Sequence, residues 1–178
     1  MTPRGRKCQV VDTNVLITAN QKSGSSRACA SSCATALLSI KKVGAIVIDD
    51  EGTILSEYRG YCSVGGQPGI GDSFIRWIHD NLGRKELVQM VPLRLAEPGG
   101  DFADFPQHPG LMGFDPSDKK FVAIANAHPE KPCILQATDS KWWGWKDSLK
   151  DCGITVEFLC PEEIKLKFEQ KIRTESSA

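Results

Sequence analysis

The sequence predicts a single three-layer α/β/α domain around a central, mostly parallel sheet of about five strands. Three observations carry this expectation. Short, continuously apolar segments recur along the chain, as strands buried on both faces of a sheet must be. Between them lie segments whose apolar residues repeat at the spacing of amphipathic helices. The chain has 178 residues, 40% hydrophobic and 25% charged, enough for one full core and too few for two.

The elements follow in order. Gln9-Val-Val-Asp12 is a short buried strand. Residues 25–41 read as a helix with Cys29, Cys33, Leu37 and Ile40 on one stripe, ended by Val43-Gly44. Ala45-Ile-Val-Ile-Asp49 is the second strand, and a turn follows in which Asp49, Asp50 and Glu51 are expected in solvent. Residues 54–62 carry Ile54, Tyr58, Tyr61 and Cys62 at helical spacing. A glycine-rich loop spans 63–71, and a helix over 72–82 places Phe74, Ile75, Ile78 and Leu82 on one side.

Leu87-Val-Gln-Met-Val91 is a strand stopped by Pro92. Residues 97–113 hold three Pro and four Gly, the composition of a long loop or lid. Asp115-Pro-Ser-Asp118 opens a helix reaching about Ala127, with Asp115 suited to its N-cap and Pro116 to its first turn. Cys133-Ile-Leu-Gln-Ala137 is a strand, 140–150 a helix, and Ile154-Thr-Val-Glu-Phe-Leu159 the last strand. Pro161 begins a helix with Ile164, Phe168 and Ile172 on one stripe. The domain is expected to span 8–160, with 63–113 inserted and 161–178 a C-terminal helix and tail.

Charge and cysteines bound the setting. The chain carries 22 Lys and Arg against 22 Asp and Glu, which excludes a generally polybasic nucleic-acid coat protein. The basic start, Met1 to Lys7, leads into no apolar segment long enough for a signal peptide or spanning helix, so a cytoplasmic protein is expected. Seven cysteines, at 8, 29, 33, 62, 133, 152 and 160, show no zinc spacing with one another or with a histidine. They are expected to pack as small buried hydrophobes.

Parallel sheets bind ligands beyond the carboxyl ends of their strands. Asp12 ends the first strand and Asp139 lies just past the fourth. Asp118 shares a helix face with Phe121, Val122 and Ala125, and Glu57 edges the apolar face of its own helix. An Asp at a strand-to-helix junction is often only a helix cap. Four carboxylates at one sheet edge, however, repel strongly unless a hard cation such as Mg²⁺ or Mn²⁺ neutralises them.

Val10-Val-Asp-Thr-Asn-Val-Leu-Ile17 resembles the opening motif of the PIN-domain nucleases. Ile54-Leu-Ser-Glu-Tyr58 is similar to that family's second acidic motif. Asp115-Pro-Ser-Asp-Lys-Lys-Phe-Val-Ala-Ile-Ala125 is similar to the third, and Ala137-Thr-Asp-Ser140 to the fourth. The resemblance implies Asp12, Glu57, Asp118 and Asp139 as a catalytic, metal-binding quartet, with Asp115 an auxiliary ligand. Asn14, Thr138 and Ser140 become supporting polar residues. It also implies Mg²⁺- or Mn²⁺-dependent phosphodiester hydrolysis, on single-stranded RNA before DNA.

Arg59, Lys119, Lys120 and Lys141 flank these acids and are candidate phosphate contacts. On the helix after Asp139, Trp142, Trp145 and Leu149 share a packing stripe, leaving Trp143 free to stack on a base. His79, His108 and His128 belong to no motif and are expected at the surface or in loops. Gly66-Gln-Pro-Gly-Ile-Gly-Asp-Ser73 imitates a phosphate loop, but Asp72 stands where the lysine belongs, so a flexible rim loop fits better.

A haloacid-dehalogenase-like phosphatase would need a second Asp at position 14, which is Asn. The remaining alternatives are a DNA- or structure-specific nuclease subunit of an antiviral defence complex and a catalytically inactive PIN-like binding module. An antitoxin, a defence-complex subunit or a second copy of the chain are the candidate partners.

Overall fold

The computed structural model describes residues 5–177, so residues 1–4 of the basic start and Ala178 of the tail lie outside the described residues. The strands are β1 (Lys7–Val11), β2 (Gly44–Asp49), β3 (Val88–Val91), β4 (Cys133–Gln136) and β5 (Val156–Phe158). They form one sheet in the order β3-β2-β1-β4-β5, and every pairing is parallel. Around it lie α1 (Thr13–Ala19), α2 (Arg27–Val43), α3 (Thr53–Tyr61), α4 (Ile70–Asp80), α5 (Lys119–Ala127), α6 (Ser140–Asp151) and α7 (Pro161–Ser176). This is the three-layer α/β/α domain read from the sequence, with a sheet that is parallel throughout.

The apolar strands explain the layering. Every residue of β2 is buried, as a strand covered on both faces requires. Helix α5 buries Phe121 through Ala125 and packs across β1, β2 and β4, while α2 packs on β2 and against α1 and α4. The stretch 63–113 contributes α4 and the sheet's edge strand β3, and α7 packs on α6. No helix among the described residues is long and apolar enough to cross a membrane.

Several local expectations are corrected. Residues after Asp12 form α1, which at seven residues is too short for its Val15, Leu16 and Ala19 to show a helical period in the sequence. Helix α5 begins at Lys119, so its N-cap is Asp118 and not Asp115. Asp49 is buried, not solvated: its carboxylate accepts the N–H groups of Thr53 and Ile54 at 2.7 and 2.8 Å and so starts α3. His128 is buried too, its Nε2 2.7 Å from the Gln89 Oε1.

The glycine-rich segment is tied down rather than free. Asp72 accepts from the backbone N–H of Ser63 and Gly69 and from the Asn20 side chain, at 2.7 to 3.0 Å. A Cβ on Gly71 would lie 2.4 Å from the Leu16 carbonyl, so this glycine serves the close approach of α4 to α1. The Pro-rich stretch is likewise no open lid. It buries Phe105 and Leu111, and Phe105 meets Phe114, which in turn packs edge-on against Trp142 and tilted against Trp145.

Cys8, Cys33 and Cys62 are buried and free as expected, but two other cysteines differ. Cys29 and Cys160 are joined as a disulfide, with Cα atoms 5.3 Å apart, linking α2 to the start of α7. The Cys33 sulfur lies within 4.8 Å of both. Their separation of 131 residues kept this pairing out of reach of any spacing argument.

Candidate functional site

Strand order reverses between β1 and β4. In an open parallel sheet such a reversal leaves a crevice beyond the carboxyl ends of the two strands. Asp12 follows β1 directly, and Asp139 comes three residues after β4. The Asp12 N–H donates to the Leu135 carbonyl at 3.0 Å. The Asn14 side-chain oxygen accepts the N–H groups of Ala137 and Thr138, at 3.0 and 3.4 Å. Asn14 therefore fixes the two loops that carry Asp12 and Asp139 against each other.

Asp12, Asp118 and Asp139 stand at the N-caps of α1, α5 and α6. The positive N-terminal ends of α5 and α6 favour carboxylates there. Each of the three is held through one oxygen. Asp12 Oδ1 accepts the Asn14 N–H at 2.9 Å, Asp139 Oδ1 the Lys141 N–H at 3.0 Å, and Asp118 Oδ2 the Trp142 Nε1–H at 3.1 Å. Among the described residues no donor reaches Asp12 Oδ2 or Asp139 Oδ2, and Asp118 Oδ1 has only the Ser117 hydroxyl at 3.4 Å. Asp12 and Asp139 thus each keep one oxygen in reserve, and Asp118 keeps one touched only by this long contact.

The other two acids do not. Glu57 Oε1 accepts the Thr13 hydroxyl, and Glu57 Oε2 lies 2.5 Å from the Lys120 ammonium. Asp115 Oδ1 accepts the backbone N–H and the hydroxyl of Ser117, and its Oδ2 pairs with Lys141 at 2.7 Å. The Lys141 contact, with the Ser117 bonds, holds the Asp115 carboxyl down at about 2. Asp115 therefore fixes a turn and a lysine, with both oxygens engaged.

The acids sense one another. Asp12 is 4% exposed, and its carboxyl is pushed well above the usual range. Burial contributes most, followed by the charge of Asp118, with Glu57 and Asp139 adding to it against the Asn14 bond. Asp118 is pushed up to about 6, by burial first and then by Asp139 and Asp115, against the Trp142 bond and Lys120. They are neighbours rather than a closed cage. Among the described residues, the only trio of candidate ligand atoms within 4.8 Å of one another is Cys29, Cys33 and Cys160.

The flanking cations fall differently from the sequence expectation. Lys120 is buried in the acidic pocket instead of standing on its rim. Lys119 pairs with Asp101 at 2.5 Å and lies over the Phe105 ring, pinning the Pro-rich stretch. Arg59 turns to His79 on α4, its guanidinium 2.6 Å from the ring nitrogen. Trp143 is half-buried, packed against Phe158 with the Lys146 ammonium 5.3 Å over its ring.

Lys141 stays half exposed beside Asp139. It also lines a groove of about 230 Å³ between α6 and α7, together with Trp145, Phe168 and Lys171. Thr138 enters through its N–H, and Ser140 is the first residue of α6; neither hydroxyl is hydrogen-bonded among the described residues.

Three contributors escaped the sequence reading. Thr13 holds Glu57, Trp142 holds Asp118, and Tyr58 donates its hydroxyl to the Val11 carbonyl at 2.5 Å, anchoring α3 beneath the end of β1. Thr13 and Tyr58 adjoin the acids of the motifs, which is the signal that could have found them. No family model matches the chain, and neither does any curated protein or solved structure.

Proposed function

We propose that this chain is a PIN-like, metal-dependent nuclease that hydrolyses phosphodiester bonds, with single-stranded RNA its favoured substrate. One observation carries the reading. At the strand-order reversal, Asp12 and Asp139 are each anchored through one oxygen and keep the other in reserve, and Asp118 keeps one touched only by the long Ser117 contact. One engaged oxygen is usual for a helix cap, but a buried Asp12 with an unbonded oxygen beside two more carboxylates is costly unless a cation joins them.

The donor set suits the expected ion. It is made of oxygen alone, the chemistry of Mg²⁺ or Mn²⁺. Asp12, Asp118 and Asp139 would hold the ion, which when bound supplies a water of lowered pKa and charge stabilisation at phosphorus. Asn14 keeps the Asp12 and Asp139 loops in register, and Trp142 sets the Asp118 rotamer. Lys141, beside Asp139, and Lys171, which shares with it the groove between α6 and α7, offer phosphate contacts, with Trp145 as an aromatic wall.

A haloacid-dehalogenase-like phosphatase is disfavoured by Asn14. Its amide oxygen is bound to two backbone N–H groups, and an amide cannot serve as the general acid. DNA cleavage, a toxin or defence-complex setting with a partner subunit, and an inactive binding module are the other readings.

Labelled single-stranded RNA and DNA, incubated with Mg²⁺ or Mn²⁺, separate them. The proposal expects metal-dependent cleavage, faster on RNA, that Asp12→Asn lowers at least ~100-fold, about 2.7 kcal/mol of barrier. Absence of cleavage, or cleavage that survives the substitution, overturns it.

A further inference from the structure

We propose that Lys120 is the pocket's resident cation: it removes Glu57 from the ligand set, so that the site takes a single divalent ion through Asp12, Asp118 and Asp139. The inference rests on the metal-dependent reading above and sharpens it, because four acids of this kind could otherwise hold two ions.

Lys120 is placed as few surface lysines are. Its side chain is 7% exposed, and its ammonium lies 2.5 Å from Glu57 Oε2. It also donates to the Ser117 carbonyl and sits 4.6 Å over the Phe121 ring. A buried ammonium is costly unless it is paired, and here the partner is one of the four acids. The Thr13 hydroxyl takes the other Glu57 oxygen. Glu57 is therefore clamped from both sides, by the residue after Asp12 and by the residue two beyond Asp118. The pair is inside the acidic pocket and belongs to it.

Two-ion sites hold their metals about 3.5–4 Å apart and need carboxylates on both. Admitting a second ion here would require Glu57 to release Lys120. The ammonium would then lose its paired carboxylate, keeping only Asp118 as an acidic neighbour, beside added positive charge. Four carboxylates and one ammonium sum to −3 when all are charged, which one divalent ion reduces to −1. Lys120 acts here as a positioning residue, through Glu57.

The test is the number of Mn²⁺ ions bound per full-length chain, measured from the free Mn²⁺ signal in electron paramagnetic resonance. Wild type and Lys120→Arg, which keeps the charge, are expected to bind one. Lys120→Met is expected to bind a second within about tenfold of the first in affinity. Two ions in wild type overturn the inference even if Lys120→Met does not fold. So does a Lys120→Met protein that folds and binds one ion with unchanged affinity. If wild type binds one ion, the metal reading stands whatever Lys120→Met does. If no variant binds Mn²⁺, the metal reading itself fails and takes this inference with it.

Discussion

Asp118 occupies a helix-cap position without capping the helix. It is the N-cap of α5 yet makes no capping bond; its carboxylate is instead held by Trp142 and crowded by Asp139 and Asp115. Its carboxyl, normally near 3.8, is pushed up to about 6. The folded protein therefore binds this proton more tightly than the unfolded chain. That contribution to stability is complete below about pH 4 and is lost as pH rises through about 6. Without metal, the melting temperature should fall across that window, and Asp118→Asn should flatten the fall. A series of thermal melts checks this, and an unchanged slope in the variant would count against it. The Asp118–Trp142 bond spans 24 residues, so the sequence could place Trp142 in the core but not name its partner. Lys120 misled for a related reason: adjacency to Asp118 suggested a rim, whereas the turn of α5 carries its ammonium inward to Glu57.

Between elements, the decisive joint is Asn14. It sits on α1, yet its side chain accepts from two backbone N–H groups after β4, so one amide holds two loops in register. Asn14→Ala should cost about 1 kcal/mol, because the Thr138 N–H loses its acceptor while the Ala137 N–H keeps the Gln136 Oε1 at 2.8 Å. Under the proposed function it should also lower metal-dependent cleavage, since the Asp139 loop is released. Chemical denaturation and the cleavage assay together check both; an Asn14→Ala protein with wild-type stability would sink the account of this joint. The strands and longer helices were legible in the sequence because burial on both faces, or on one stripe, writes a period into the residues. The start of α5 and the existence of α1 were not. One depends on which of two Asp residues caps the helix, and the other is too short to show a period. The glycines at 66, 69 and 71 only imitate a phosphate loop, because close helix packing and phosphate binding call for the same missing Cβ.

At the scale of the whole molecule, equal numbers of acidic and basic residues give no net charge, but the two signs are not interspersed evenly. Asp12, Asp118 and Asp139 gather where the strand order reverses, with Lys141 beside them and on the groove between α6 and α7. The fold class followed from composition and period. The site was legible only as a set of candidate acids, because which oxygens stay uncommitted depends on partners far apart in the chain. Glu57 and Asp115 have both oxygens engaged, while Asp12 and Asp139 do not, and Asp118 has only a long contact on its second. That distinction is open to direct observation. Crystals soaked in Mn²⁺ and measured at the manganese absorption edge should show one anomalous peak bounded by Asp12, Asp118 and Asp139, with the Lys120–Glu57 pair intact. No peak there at saturating Mn²⁺, or a peak only elsewhere, would contradict the account.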